Sequence, residues 1–168
     1  ALDTLLLPLQ SGLVARPQSG RALFMHARTG MALRELPQSR AFVCEQGFRP
    51  FADALQHDGY IVNAAATPGP AEIFPLVLLL PPRQRDESRA LFAHAVQRTM
   101  AGGTVMASMA NNAGARSGEA DLIRLLGPVL NVSKHHCRAF WATVNADALN
   151  HALLDAWSVL DAPRLIGD

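Results

Sequence analysis

The run "PLVLLL", Pro75–Leu80, decides the class of fold. After its proline every residue is a large aliphatic, so an extended segment here is hydrophobic on both faces. Strands of that kind belong to parallel sheets covered by helices on each side. Even with Ile73 and Phe74 the run reaches only eight residues, against the roughly 20 that a membrane-crossing helix needs.

The segments on either side keep the same rhythm. Upstream, "ALFMHA" (Ala22–Ala27), "RAFVCE" (Arg40–Glu45) and "YIVNAA" from Tyr60 are short apolar runs that suit buried strands. Between the last two, Phe48, Phe51, Ala52 and Leu55 recur at helical spacing, with Gly59 placed to end the helix. A turn-rich "ATPGPAE" leads into the central strand. Downstream, Leu91, Ala95, Val96 and Met100 form a helical stripe, with Asp86 as an N-cap and Gly102–Gly103 as the stop. "TVMASMA" is a strand, and "GEADLIRLLG" a helix with Leu122, Leu125 and Leu126 inward. "VLNVS" and "CRAFWATV" are strands, and a terminal helix opens near Asn145 or Asp147. Alternating strands and helices imply an α/β sandwich with right-handed crossovers. The last two strands have no helix between them and are expected to pair antiparallel.

Composition restricts function. The 168 residues suit one domain, 49% are hydrophobic and 17% charged, and the net charge is +1. A global polycation is excluded, so any contact with nucleic acid must come from a local patch. Cys44 and Cys137 lie far apart without a Cys-x-x-Cys pair, which favours buried thiols in a reducing compartment. The start "LDTLLLPL" lacks a basic leader and a cleavage motif. The expectation is a cytoplasmic protein with no membrane partner.

In open α/β sheets ligands bind beyond the carboxyl ends of the strands. After the first strand comes "HARTG", where His26 and Arg28 stand at positions that a phosphate-cradling loop fills with glycine; only Gly30 remains. Glu45 follows the second strand. It either accepts hydrogen bonds from a ribose or is a strand-end carboxylate in solvent. The six histidines show no metal spacing. His135 and His136 are adjacent, so on a strand they face opposite ways. There is no nucleophile elbow and no convincing Ser/His/Asp or Cys/His set. The richest polar cluster joins "NNAGARSGE" (Asn111–Glu119) to "SKHHCRAFW" (Ser133–Trp141). Arg116 is exposed there, and Ser117 is available to cap the next helix. Lys134, His135, His136, Arg138 and Trp141 lie close together, a set that suits phosphate contacts plus base stacking. It equally suits an edge hairpin with charged gatekeepers.

The segments "GGTVMASMANNAGARSGEADLIRLLGPV" and "VSKHHCRAFWATV" resemble the N-terminal domain of ribosomal RNA small-subunit methyltransferase C-type guanine-N2 methyltransferases. The resemblance spans about Leu5 to Val144. It implies a Rossmann-like class I methyltransferase-type three-layer sandwich, mostly parallel with an antiparallel C-terminal strand pair. Proteins of that family have two similar halves, of which only the C-terminal one keeps the S-adenosylmethionine site and the catalytic motif.

Aligned on an active half, "ALFMHARTG" has Phe24 for the motif's acidic residue, and His26 and Arg28 for its first two glycines. "LLPPR" falls where such a half carries Asn-Pro-Pro-Phe/Tyr. Pro81 and Pro82 remain, but Leu80 replaces the asparagine and Arg83 the aromatic. The resemblance therefore implies one degenerate domain over residues 1–168 with no catalytic residue, no cofactor and no metal. A catalytic half that binds S-adenosylmethionine would follow Asp168, after a linker-like "DAPRLIGD". The implied partners are ribosomal RNA and that half, and not DNA. Two rivals remain: a scaffold domain that touches no RNA, and an active small-molecule methyltransferase with an atypical cofactor loop.

Overall fold

The computed structural model describes residues 1–63 and 72–162. Thus "ATPGPAE", apart from Glu72, and "DAPRLIGD", apart from Asp161 and Ala162, lie outside the described residues. Seven strands form one sheet: β1 (Leu23–Met25), β2 (Val43–Glu45), β3 (Ile61–Asn63), β4 (Phe74–Leu79), β5 (Thr99–Ala110), β6 (Leu130–Lys134) and β7 (Cys137–Thr143). Their order is β3-β2-β1-β4-β5-β7-β6. The first five are parallel, while β7 is antiparallel to both β5 and β6. The expected mostly parallel sheet with an antiparallel terminal pair is what the chain forms.

Among the described residues six α-helices cover the two faces: α1 (Leu2–Gln10), α2 (Met31–Glu35), α3 (Arg49–His57), α4 (Arg85–Gln97), α5 (Ala115–Leu126) and α6 (His151–Trp157). β4 shows why its sequence needed both layers. Phe74, Val77 and Leu79 enter the core under α4, α5 and α6, and Leu76 and Leu78 enter the core under α1, α2 and α3. β7 divides its side chains likewise, Phe140 to the first core and Trp141 to the second. Five of the seven phenylalanines, Phe24, Phe42, Phe74, Phe92 and Phe140, are fully buried.

Several local expectations are corrected. Helix α4 ends at Gln97, and Met100 lies on β5. Gly102 and Gly103 belong to an irregularity where β5 shifts register against Phe74–Leu76. A Cβ on Gly103 would sit 2.9 Å from the carbonyl oxygens of Met100 and Pro75, which explains the glycine there. The α4 cap is Gln84, whose side chain accepts from the Glu87 N–H, and not Asp86. Ser117 lies inside α5, which opens at Gly114 without a side-chain cap. The cap of α6 is Asn150, beyond Asn145 and Asp147. Both cysteines are free and buried as expected, and burial pushes the Cys44 thiol up to about 12. Among the described residues no helix is long and apolar enough to cross a membrane.

Candidate functional site at the carboxyl edge of the sheet

The topology brings every singled-out loop to one edge. The parallel strands β1, β2, β4 and β5 end there, and β6 reaches it just before its hairpin with β7. The Asn111 N–H donates to the His136 carbonyl at 2.9 Å, tying the end of β5 to that hairpin. The Thr4 hydroxyl donates to the Lys134 carbonyl at 3.0 Å and anchors α1 beside it.

At the end of β1, His26 has φ 54°, in the left-handed region that glycine enters without steric penalty. At this one position the backbone takes a conformation that glycine favours, although the residue is histidine. The residue is exposed, yet desolvation lowers the imidazole pKa, outweighing the carboxylates of Glu87 and Glu45. Ala27 is fully buried; its N–H donates to the Glu45 carbonyl. Its own carbonyl accepts from Gln46 Nε2 at 2.7 Å, while Gln46 Oε1 accepts from the Phe48 N–H at 2.9 Å. Gln46 thus closes the space between the ends of β1 and β2, and sequence reasoning missed it. A polar residue between a strand-end acid and Gly47 was its only signal.

Arg28 lays its guanidinium on the Phe51 ring, 3.4 Å from the centroid, and so packs against α3. The Thr29 hydroxyl donates to Asp58, which Arg34 also contacts at 3.1 Å. The Thr29 bond and the neighbouring arginine hold the Asp58 carboxyl below its ordinary value, against some desolvation. Gly30 is extended, with φ 176°. A Cβ on it would lie 2.9 Å from Leu2 Cδ2, so its small size lets α1 approach. Glu45 is not a carboxylate in solvent: it pairs with Arg98 at 2.8 Å, and both side chains are largely buried.

After β4, Leu80 leans on the core beneath α1–α3, and its N–H donates to the Met25 carbonyl at 3.3 Å. Pro81 and Pro82 are half-buried and Arg83 is exposed. On the other half of the edge, Arg116, Lys134, His135 and His136 are all exposed. Two candidates behave otherwise. Trp141 is 7% exposed and packs into the core beneath α1, so its ring offers no face to a base. Arg138 makes two hydrogen bonds to Glu119, at 2.9 and 3.1 Å, so much of its charge is already matched.

His135 and His136 are not strand residues. With φ 54° and 59° they are the two central residues of the β6–β7 turn. Two consecutive left-handed residues define a type I′ hairpin, whose preferred pair is Asn-Gly. Changing His135→Asn together with His136→Gly should therefore stabilise the fold by about 1–2 kcal/mol. Thermal unfolding checks this, with a rise in Tm of about 2–8 °C expected at this chain length.

No protein-family model and no curated protein matches the chain. Solved structures do. The 16S rRNA N2 G1207 methyltransferase of T. thermophilus, in complex with AdoMet and guanosine, superposes with a TM-score of 0.69 at 20% identity. The match covers 82% of this chain and 38% of that one, so the chain spans about two fifths of that protein's length. The N-methyltransferase NodS of Bradyrhizobium japonicum matches at TM-score 0.60 and 14% identity, over 86% of this chain and 94% of that one. The ribosomal protein L11 methylase of Lactobacillus delbrueckii subsp. bulgaricus matches at 0.64 and 9%, over 84% and 78%. The fold is that of a class I methyltransferase.

The loops after β1, β2 and β4 border the place where an open α/β fold takes a ligand, near the reversal of strand order between β1 and β4. The Gln46 amide bridges the loops after β1 and β2, the Arg28–Phe51 stack packs the first of them on α3, and Glu45 at the end of β2 pairs with Arg98. The carboxylate at the end of β2 is already matched by an arginine, and Gln46 bonds to the backbone of the β1 loop. Among the described residues no three metal-ligating side chains converge.

Proposed function

We propose that the chain is the methyltransferase-like N-terminal half of an rRNA guanine-N2 methyltransferase, which positions RNA and supports a catalytic half without binding cofactor itself. The observation that supports this reading is the Gln46 amide, which bonds to the backbone on both sides where the loops after β1 and β2 meet. Leu80 supports it. An aliphatic side chain cannot accept hydrogen bonds from a target amine, and Arg83 has no aromatic face to stack on a flipped base. The likeness to a 16S rRNA methyltransferase that is more than twice as long fits a half of a two-domain protein. The RNA would lie along the edge that displays Arg116, Lys134 and His135, with His136 beside them.

Isothermal titration with S-adenosylmethionine tests the first part, and no binding is expected in the micromolar range; clear micromolar affinity sinks it. For the second part, Arg116→Ala and Lys134→Ala should each weaken RNA binding alike across sequences. Each should also lower the slope of log K against log salt by about 1. Arg138→Ala should do less, because Glu119 already takes two of its donors. Unchanged affinity and slope in the first two variants removes RNA from the proposal and leaves a scaffold that docks its catalytic half.

A further inference from the structure

Between the first turns of α4 and α5 lies a cavity of about 120 Å³, lined by Arg83, Arg85, Ser88, Ser117, Gly118 and Asp121 among others. At roughly 30 Å³ per water it has room for about four waters, or for one tetrahedral oxyanion. Its walls are arranged for negative charge. Helix α5 has 12 residues, carries no acidic residue in its first turn and has no side-chain cap. Its first amide to bond back is that of Gly118, to the Gly114 carbonyl at 2.8 Å. The N–H groups of Ala115, Arg116 and Ser117 are thus left without helical partners, at the positive end of the helix dipole. Helix α4, by contrast, already has Asp86 and Glu87 in its first turn.

The second observation is Ser88. The residue is 3% exposed, it lines the cavity, and its hydroxyl has no hydrogen-bond partner. A buried polar group left unpaired is costly, and beside a cavity it points to a ligand. The charges agree. Asp121 is the carboxylate in the cavity wall, and its two oxygens are shared by Arg85 and Arg89 at 3.0–3.3 Å. Two arginines on one carboxylate leave one positive charge in surplus. Arg83 adds another, with no ion pair among the described residues.

We propose that this cavity binds one phosphate group, held by the first-turn amides of α5, the Ser88 and Ser117 hydroxyls and the Arg83 guanidinium. If the RNA reading above holds, that phosphate is one of the RNA backbone, seated beside Arg116.

Two titrations followed by amide NMR of the full chain test the site, one with inorganic phosphate and one with a short single-stranded oligoribonucleotide. Both should shift the amides of Arg116, Ser117 and Gly118. Arg83→Ala should weaken phosphate binding about tenfold, as expected for loss of a charge-assisted hydrogen bond. Ser88→Ala should weaken it about fivefold while leaving Tm unchanged or raised, since the hydroxyl has no partner within the fold. RNA that shifts the hairpin amides of Lys134 and His135 but not those of α5, with phosphate also silent, overturns the cavity and leaves the RNA reading standing. Phosphate shifts without any RNA binding keep the cavity as a site for free phosphate and overturn RNA as its source. Equal phosphate affinity in wild type and both variants overturns the assignment of these side chains.

Discussion

Replacing Trp141 with alanine should destabilise the protein by about 3–5 kcal/mol, as removal of a buried indole does in other cores. The residue sits on β7 opposite Met106 of β5 and Leu130 of β6, and it turns into the layer under α1. Leu5, Leu6 and Leu9 of α1 are buried in that same core, so an empty indole volume cannot be filled by one small shift. At roughly 2–4 °C per kcal/mol for a chain of this size, Tm should fall by at least about 6 °C. Trp141→Phe keeps most of the volume and should recover most of the loss. A base-stacking tryptophan behaves in the opposite way. Its truncation would remove about 1–3 kcal/mol of RNA binding per stacked base and leave the fold intact. Thermal melts and RNA titrations on the same two variants separate these outcomes, and unchanged Tm with weakened RNA binding would return Trp141 to the interface.

Trp141 also shows what the sequence hides. "CRAFWATV" reads correctly as a strand, but alternation says only that Phe140 and Trp141 face opposite sides. It does not say that helices cover both. The cover over Trp141 is α1, from a leucine-rich segment with Pro8 inside it whose apolar positions show no clean helical period. β4 was legible because its burial on both faces leaves a signature that needs no partner to interpret. The loops were legible only where turn chemistry is conventional. Gly127 ends α5 with positive φ and marked that end in the sequence, whereas the start at Gly114 was missed in favour of a cap at Ser117. The β6–β7 turn carries histidines where Asn-Gly would be the signal, so the two strands could be read but not the type of turn between them. At the candidate site, the bulky His26 and Arg28 in the loop after β1 were visible. The Gln46 bridge was not, because it acts through two backbone bonds that become possible only once β1 and β2 lie side by side.

The Asp121 cluster has an effect of similar size and a distinct pH signature. Asp121 is 1% exposed and lies between two arginines that reach it from α4, Arg85 at 3.0 Å and Arg89 at 3.1 Å. Burial alone would push its carboxyl up. The hydrogen bonds and charges of Arg85 and Arg89 outweigh that and hold it below the ordinary value. A carboxyl depressed on folding contributes stability that is complete above its unfolded pKa of about 3.9 and fades as pH falls through the folded value.

Substituting Arg85→Met and Arg89→Met together strands the carboxylate. At neutral pH, an uncompensated buried carboxylate at Asp121 should cost about 3–5 kcal/mol. The sign of the titration then reverses. With only burial acting, the Asp121 pKa rises above the unfolded value, and the penalty grows as pH climbs past about 4. Denaturant unfolding of wild type and double variant between about pH 3 and pH 7 should give curves that converge in acid and part near pH 4–5. Adding Asp121→Asn to the double variant removes the charge and should recover part of the loss at neutral pH. A deficit independent of pH, not relieved by Asp121→Asn, would mean that the arginines act through packing, Arg89 against Trp157 for example, where its guanidinium lies 5.0 Å from the ring centroid.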